Sequence, residues 1–108
     1  MADLLEEFEI TNVLGITAML SGSVNASGIN LPTVATTDIE EVAIRCAIDQ
    51  PFASRLEFSY DGGTTWCRLA VGEAREDMFR GSIKQIRIRS AGSLATCNYE
   101  VIMNRGQT

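Results

Sequence analysis

The chain carries fourteen carboxylates, three thiols and no histidine, and those counts decide which chemistry is open to it. Without an imidazole it lacks the side chain that titrates near neutral pH. It therefore has no Ser/His or Cys/His dyad and lacks the commonest zinc ligand. The thiols, Cys46, Cys67 and Cys97, are widely spaced and form no CxxC motif. Each lies in an apolar, strand-like segment, so they read as free thiols acting as small buried hydrophobes. The carboxylates include the adjacent pairs Glu6-Glu7, Glu40-Glu41 and Glu76-Asp77. Neighbours along a strand point to opposite faces, so such pairs do not converge on a sugar as a glycosidase requires. Neither GxxxxGK[ST] nor GxGxxG occurs. The expectation is a protein with no catalytic, cofactor-binding or metal site, and not an enzyme.

Charge supplies a second constraint. The net charge is −5, which opposes nucleic acid as a main partner because phosphate contacts need a basic surface. The charge is also unevenly spread. Residues 1–54 hold one basic residue, Arg45, and eight acids; residues 55–108 hold eight basic residues and six acids. Lys84, Arg87 and Arg89 alternate with Ile86 and Ile88. A subunit whose acidic part meets the basic part of its neighbour would assemble in one orientation. The residues singled out for such contacts are Glu6 and Glu7 on one side and Lys84, Arg87 and Arg89 on the other. No apolar run approaches the roughly 18 residues of a membrane helix, so no membrane partner is expected. The start, MADLLEEFE, is acidic where a secretory leader is basic. The expectation is a protein that begins near Met1 and is made in a cytosol.

The elements that must position these residues are strands. At 108 residues there is room for one small domain and one core. The apolar period is close to two in four stretches: Val42, Ile44, Cys46 and Ile48; Leu56, Phe58 and Tyr60; Ile86 and Ile88; and Ala95, Cys97, Tyr99, Val101 and Met103. One apolar and one polar side suits antiparallel sheets with a wet face. Phe8 and Ile10 suggest a first strand, and Gly15 to Val24 a second. Asp61-Gly62-Gly63 and Ala91-Gly92-Ser93 read as turns, and Ser27-Gly28 with Asn30 to Thr33 as a longer loop. Two short segments have helical spacing, MADLLEEF and Glu73 to Phe79; for the second a short helix or an ordered loop is expected. The fold expected is all-β: one antiparallel β-sandwich or jelly roll of about seven or eight strands over residues 11–108, with residues 1–10 as an arm or edge strand.

The stretch SYDGGTTW, residues 59–66, has its own physical logic. Gly62 and Gly63 accept the positive φ of a tight hairpin turn. Asp61 can take hydrogen bonds from backbone N–H groups. Ser59 and Thr65 can bond across the turn, and Trp66, the single tryptophan, can cover its base. The stretch resembles the Asp-box, S-x-D-x-G-x-T-W, at every fixed position. In sialidases and related propellers that pattern is a β-hairpin, usually remote from the active site and repeated from blade to blade. One copy in 108 residues does not make a propeller, so Ser59, Asp61, Gly62, Gly63, Thr65 and Trp66 are expected to be scaffold.

A broader resemblance spans Arg55 to the end. A strand ending in the box, then Arg68 to Glu73, then Ile83 to Ser90 and Thr96 to Met103, is similar to small β-structured virion proteins of tailed bacteriophages. That resemblance implies a structural subunit of a virion, made in the host cytoplasm: a capsid decoration, head-fibre or neck protein. Its partners would be other virion subunits such as the major capsid or neck protein, and it would form a homo-oligomer. The alternative is a carbohydrate-binding β-sandwich module, against which the aromatic content of 6% counts. A calcium-linked adhesion domain is disfavoured because DGGTT lacks dense oxygen ligands.

Overall fold

The computed structural model describes residues 16–33 and 38–105. They form eight strands: β1 (Ile16–Asn25), β2 (Ile29–Leu31), β3 (Ile39–Cys46), β4 (Arg55–Ser59), β5 (Cys67–Ala70), β6 (Ala74–Ile83), β7 (Ile86–Ser90) and β8 (Thr96–Arg105). All pairings are antiparallel. Sheet A has the order β1-β8-β3-β6 and sheet B the order β2-β7-β4-β5. Each sheet interleaves strands from distant parts of the chain. This is the two-sheet, eight-strand jelly-roll form of the expected β-sandwich.

Alternation explains the core. Val42, Ile44 and Cys46 of β3 and Val101 and Met103 of β8 point inward from sheet A, with essentially no exposed surface. Leu56 and Phe58 of β4 and Ile86 and Ile88 of β7 answer them from sheet B, none more than 1% exposed. Tyr60 stands at the rim of this core. Its ring centroid lies 5.2 Å from Phe58 and 4.8 Å from Phe79, the latter edge-on. Its hydroxyl donates to Asp77 of β6, which also accepts from Arg75 Nε at 2.9 Å. Burial, then the bond to Asp77, raises the Tyr60 pKa. One residue at the end of a sheet B strand is thereby tied to the edge of sheet A.

Several expectations need correction. Glu73 to Phe79 is neither helix nor loop: Ala74 opens β6, and Arg75, Glu76, Asp77 and Met78 pair with Ile44, Ala43, Val42 and Glu41 of β3. The cross-strand partner settles what a short mixed-charge segment could not, and a charged edge strand resists pairing with further chains. The loop expected over Asn30 to Thr33 includes β2, which pairs with β7. The strand expected over Ile83 to Ser90 is two pieces, the end of β6 and β7, with Lys84 and Gln85 between. Ile48 lies beyond β3 and is 62% exposed, and Ala95 precedes β8 and is exposed. The arm over residues 1–10, the strand at Phe8 and Ile10, the N-terminal helical turn, and Glu6 and Glu7 lie outside the described residues.

Candidate interaction faces

The 59–66 segment joins β4 to β5, with Phe58 opposite Cys67 at its base. Gly62 and Gly63 have φ of 75° and 99°, a region that favours glycine. Asp61 Oδ1 accepts from the backbone N–H of Thr65 at 2.8 Å and of Thr64 at 3.1 Å, and from Ser59 Oγ at 2.7 Å. Ser59 Oγ in turn accepts from Gly63 N–H at 2.9 Å. The Ser59 bond and then the Thr65 bonds hold the Asp61 carboxyl down at about 2. Trp66 Nε1 donates to the Gly63 carbonyl at 2.9 Å, which pins the ring against the turn. All six box residues thus meet in one turn, with Asp61 Oδ1 bonded within the turn itself.

Trp66 also reaches the outer face of sheet B. The Arg89 guanidinium stacks 3.7 Å from its ring centroid. Glu57 on β4 lies opposite both Arg68 of β5 and Arg89 of β7. One carboxylate oxygen accepts from Arg89 Nε at 2.8 Å, the other from Arg68 Nε and Nη2 at 3.2 and 3.1 Å. Arg87 bonds Asn30 Oδ1 at 3.0 Å and the Ser27 carbonyl at 2.7 Å. Lys84, on the turn before β7, pairs with Asp38. The structure therefore brings Arg87 and Arg89 onto one face and leaves Lys84 off the strand. Glu57 was not singled out from the sequence, since a lone acid in an alternating strand carries no signal until two arginines flank it. Arg55, Arg68, Arg87 and Arg89 point outward from this sheet against one carboxylate, Glu57.

The outer face of sheet A has the opposite balance. Among the described residues, Glu41, Glu76 and Glu100 stand outward with Arg45 at the paired positions, and exposed Arg80 follows Met78 along β6. Arg45 Nη2 and Nε bond Glu100 Oε1 at 2.6 and 2.8 Å, and Asn104 Nδ2 donates to Glu41 at 3.0 Å. An open groove of about 670 Å³ runs here between Ser21, Arg45, Asp49 and Asn98. The aromatic ring lining it, Tyr99, is 7% exposed. The groove thus presents no stacking platform for a sugar. Among the described residues, no cluster of three or more acidic or thiol side chains has the spacing to hold a metal ion.

Two thiols, Cys46 and Cys97, are buried with their sulfurs 3.6 Å apart, whereas Cys67 is half-buried. Burial pushes the Cys97 thiol up to about 12 and raises that of Cys46.

No protein-family model and no curated protein matches this chain. Solved structures are similar to this chain. One comes from Bacillus endospore appendages, described as a novel family of disulfide-linked pili; it has a TM-score of 0.53 and 9% identity over 88% of each chain. Another is a mitogen derived from Yersinia pseudotuberculosis, with a TM-score of 0.47 and 16% identity, covering 88% of this chain and 90% of that one. At 9% identity the likeness to the appendage protein is one of fold.

Proposed function

We propose that this chain is a non-enzymatic structural subunit that works by assembling with copies of itself and with other protein subunits. The observation carrying the proposal is the opposite charge balance of the two outer faces. At the described paired positions sheet A carries Glu41, Glu76 and Glu100 with Arg45, and sheet B carries Arg55, Arg68, Arg87 and Arg89 with Glu57. Back-to-back faces of opposite sign favour head-to-tail stacking, a contact that repeats rather than closing on itself. A subunit fold of this kind in a pilus supports the reading. Those pili are described as disulfide-linked. Here Cys46 and Cys97 are buried and Cys67 is half-buried; the contacts proposed rest on charge, not on a disulfide. The finer placement, a capsid decoration, head-fibre or neck protein of a tailed-phage virion, rests on the resemblance of residues 55–108 to such proteins.

The test is solution mass by light scattering across salt concentrations. Exposed charges are screened within about 10 Å at 0.1 M salt. A discrete oligomer or fibre at low salt should loosen as salt rises, and Arg68→Glu should loosen it without added salt. A monomer at every salt and protein concentration overturns self-assembly. Failure to sediment with phage particles overturns the virion placement.

A further inference from the structure

Cys46 and Cys97 meet on the inner side of sheet A. Cys46 closes β3 and faces Tyr99 of β8, and Cys97 stands two residues away along β8, also pointing into the core. Diagonal neighbours across a strand pair are within side-chain reach, and here the two sulfurs lie 3.6 Å apart. Neither residue is more than 1% exposed. Gln50 ties the two strand ends together. Its Nε2 donates to the Ala47 carbonyl at 2.6 Å and to the Asn98 carbonyl at 3.0 Å, and its Oε1 accepts from the Asn98 N–H at 2.8 Å. The same Nε2 lies 3.4 Å from Cys46 Sγ. The Ala47 N–H adds a bond to the Asn98 carbonyl at 3.1 Å. Cys67 opens β5 on sheet B and is half-buried, so the pairing of the thiols is already selected by the fold.

We infer that Cys46 and Cys97 are the two halves of an intrachain disulfide that staples β3 to β8, the two inner strands of sheet A. The gap left to a bonded pair is about 1.5 Å. The oxidant is a low-molecular-weight disulfide. One protein thiolate attacks a sulfur of the oxidant and expels one small thiol; the other protein thiolate then displaces the second. Two protein S–H bonds and the oxidant S–S bond are lost, one protein S–S bond and two small-molecule S–H bonds form, and two electrons pass to the oxidant. Burial raises the pKa of both thiols, which keeps them protonated and unreactive once the sheets have closed over them. The bond therefore forms as the chain folds, and the same burial then shields it from reductants. The two cysteines are 51 positions apart in the chain, so the cross-link closes a long loop and restricts the unfolded chain strongly. The inference stands independently of the assembly reading, since the bond lies inside one chain.

Refolding the denatured full chain in a mixture of reduced and oxidised glutathione tests it. Alkylation of the remaining thiols and peptide mapping should find Cys46 joined to Cys97, with Cys67 outside the bond. Cys67→Ala should leave the cross-link in place, and Cys46→Ala should abolish it. The oxidised chain should melt on the order of 10 °C above the same chain reduced. Cys46 and Cys97 both recovered as free thiols overturn the inference, and so does a cross-link that involves Cys67. A Cys46–Cys97 bond that leaves the melting temperature unchanged, lowers it or prevents refolding overturns the staple. If the Cys46→Ala chain fails to fold, the peptide map of the unsubstituted chain decides.

Discussion

Sheet B finishes its outer face with charge, holding Glu57 between Arg68 and Arg89 and laying Arg89 on Trp66. Sheet A, with the same number of strands, sets Ile102 and Ala43 at the corresponding place and buries them completely. Both faces are opposite the same core. A face closed by ion pairs tolerates water at its edges, because its groups are satisfied with or without a partner. A buried aliphatic side chain contributes through area, about 25 cal/mol per Å² removed from water. The difference lies in what a substitution disturbs: a shared carboxylate on sheet B, a buried aliphatic side chain on sheet A.

The largest effect should come from Ile102→Ala. An outward residue on a wet face would cost a few tenths of a kcal/mol; Ile102 should cost about 2–4 kcal/mol as a buried aliphatic. Chemical denaturation measures it, and a cost indistinguishable from that of Met19→Ala would erase the contrast between the sheets.

Glu57→Ala comes next. It removes a carboxylate only 12% exposed that Arg68 and Arg89, 58% and 37% exposed, share, and should cost about 1–2 kcal/mol. The counterpart on sheet A, Glu100→Ala, takes a carboxylate 33% exposed away from Arg45, 15% exposed, and should cost about 1 kcal/mol. Equal losses in thermal unfolding would show that the ion pairs of the two faces do the same job.

Asp61 supplies a pH test confined to sheet B. Its carboxyl is lowered from 3.8 to about 2 in the fold. A depressed folded value means the stabilisation is complete above the unfolded value and is lost as pH falls through the folded one. Stability should therefore drop between about pH 4 and pH 2, and Asp61→Asn should flatten that limb. An acid titration followed by circular dichroism, with the two curves parallel, would remove Asp61 from the turn's energetics.

The smallest perturbation is chemical. Half-buried Cys67, on sheet B, should alkylate in the native protein, while Cys46 and Cys97, buried in sheet A with raised pKa values, should react only on unfolding. Mass spectrometry of a timed alkylation gives the order, and early labelling of Cys97 would mean that sheet A opens first.

The alternation in Leu56–Tyr60 and Cys97–Met103 made those strands and their core faces legible, because a period of two places every second side chain on one side whatever the partner strand is. SYDGGTTW was legible for a related reason: its bonds run between residues two to four apart, so local sequence specifies them. β6 was not legible. GEAREDMF has no strong period of its own, and pairing with β3 decides its state. β2 is three residues long, too short to signal against a background of turn residues.

The sequence by itself determined that the chain is all-β, that its thiols are not spaced for metal and that its hairpin is self-contained. Only the tertiary structure decided which strands share a sheet, that Glu57 meets two arginines, and that Ile102 is buried on an outer face. Those facts depend on contacts between residues tens of positions apart. Period and composition say which way a side chain points relative to its neighbours in the chain, but not what stands opposite it.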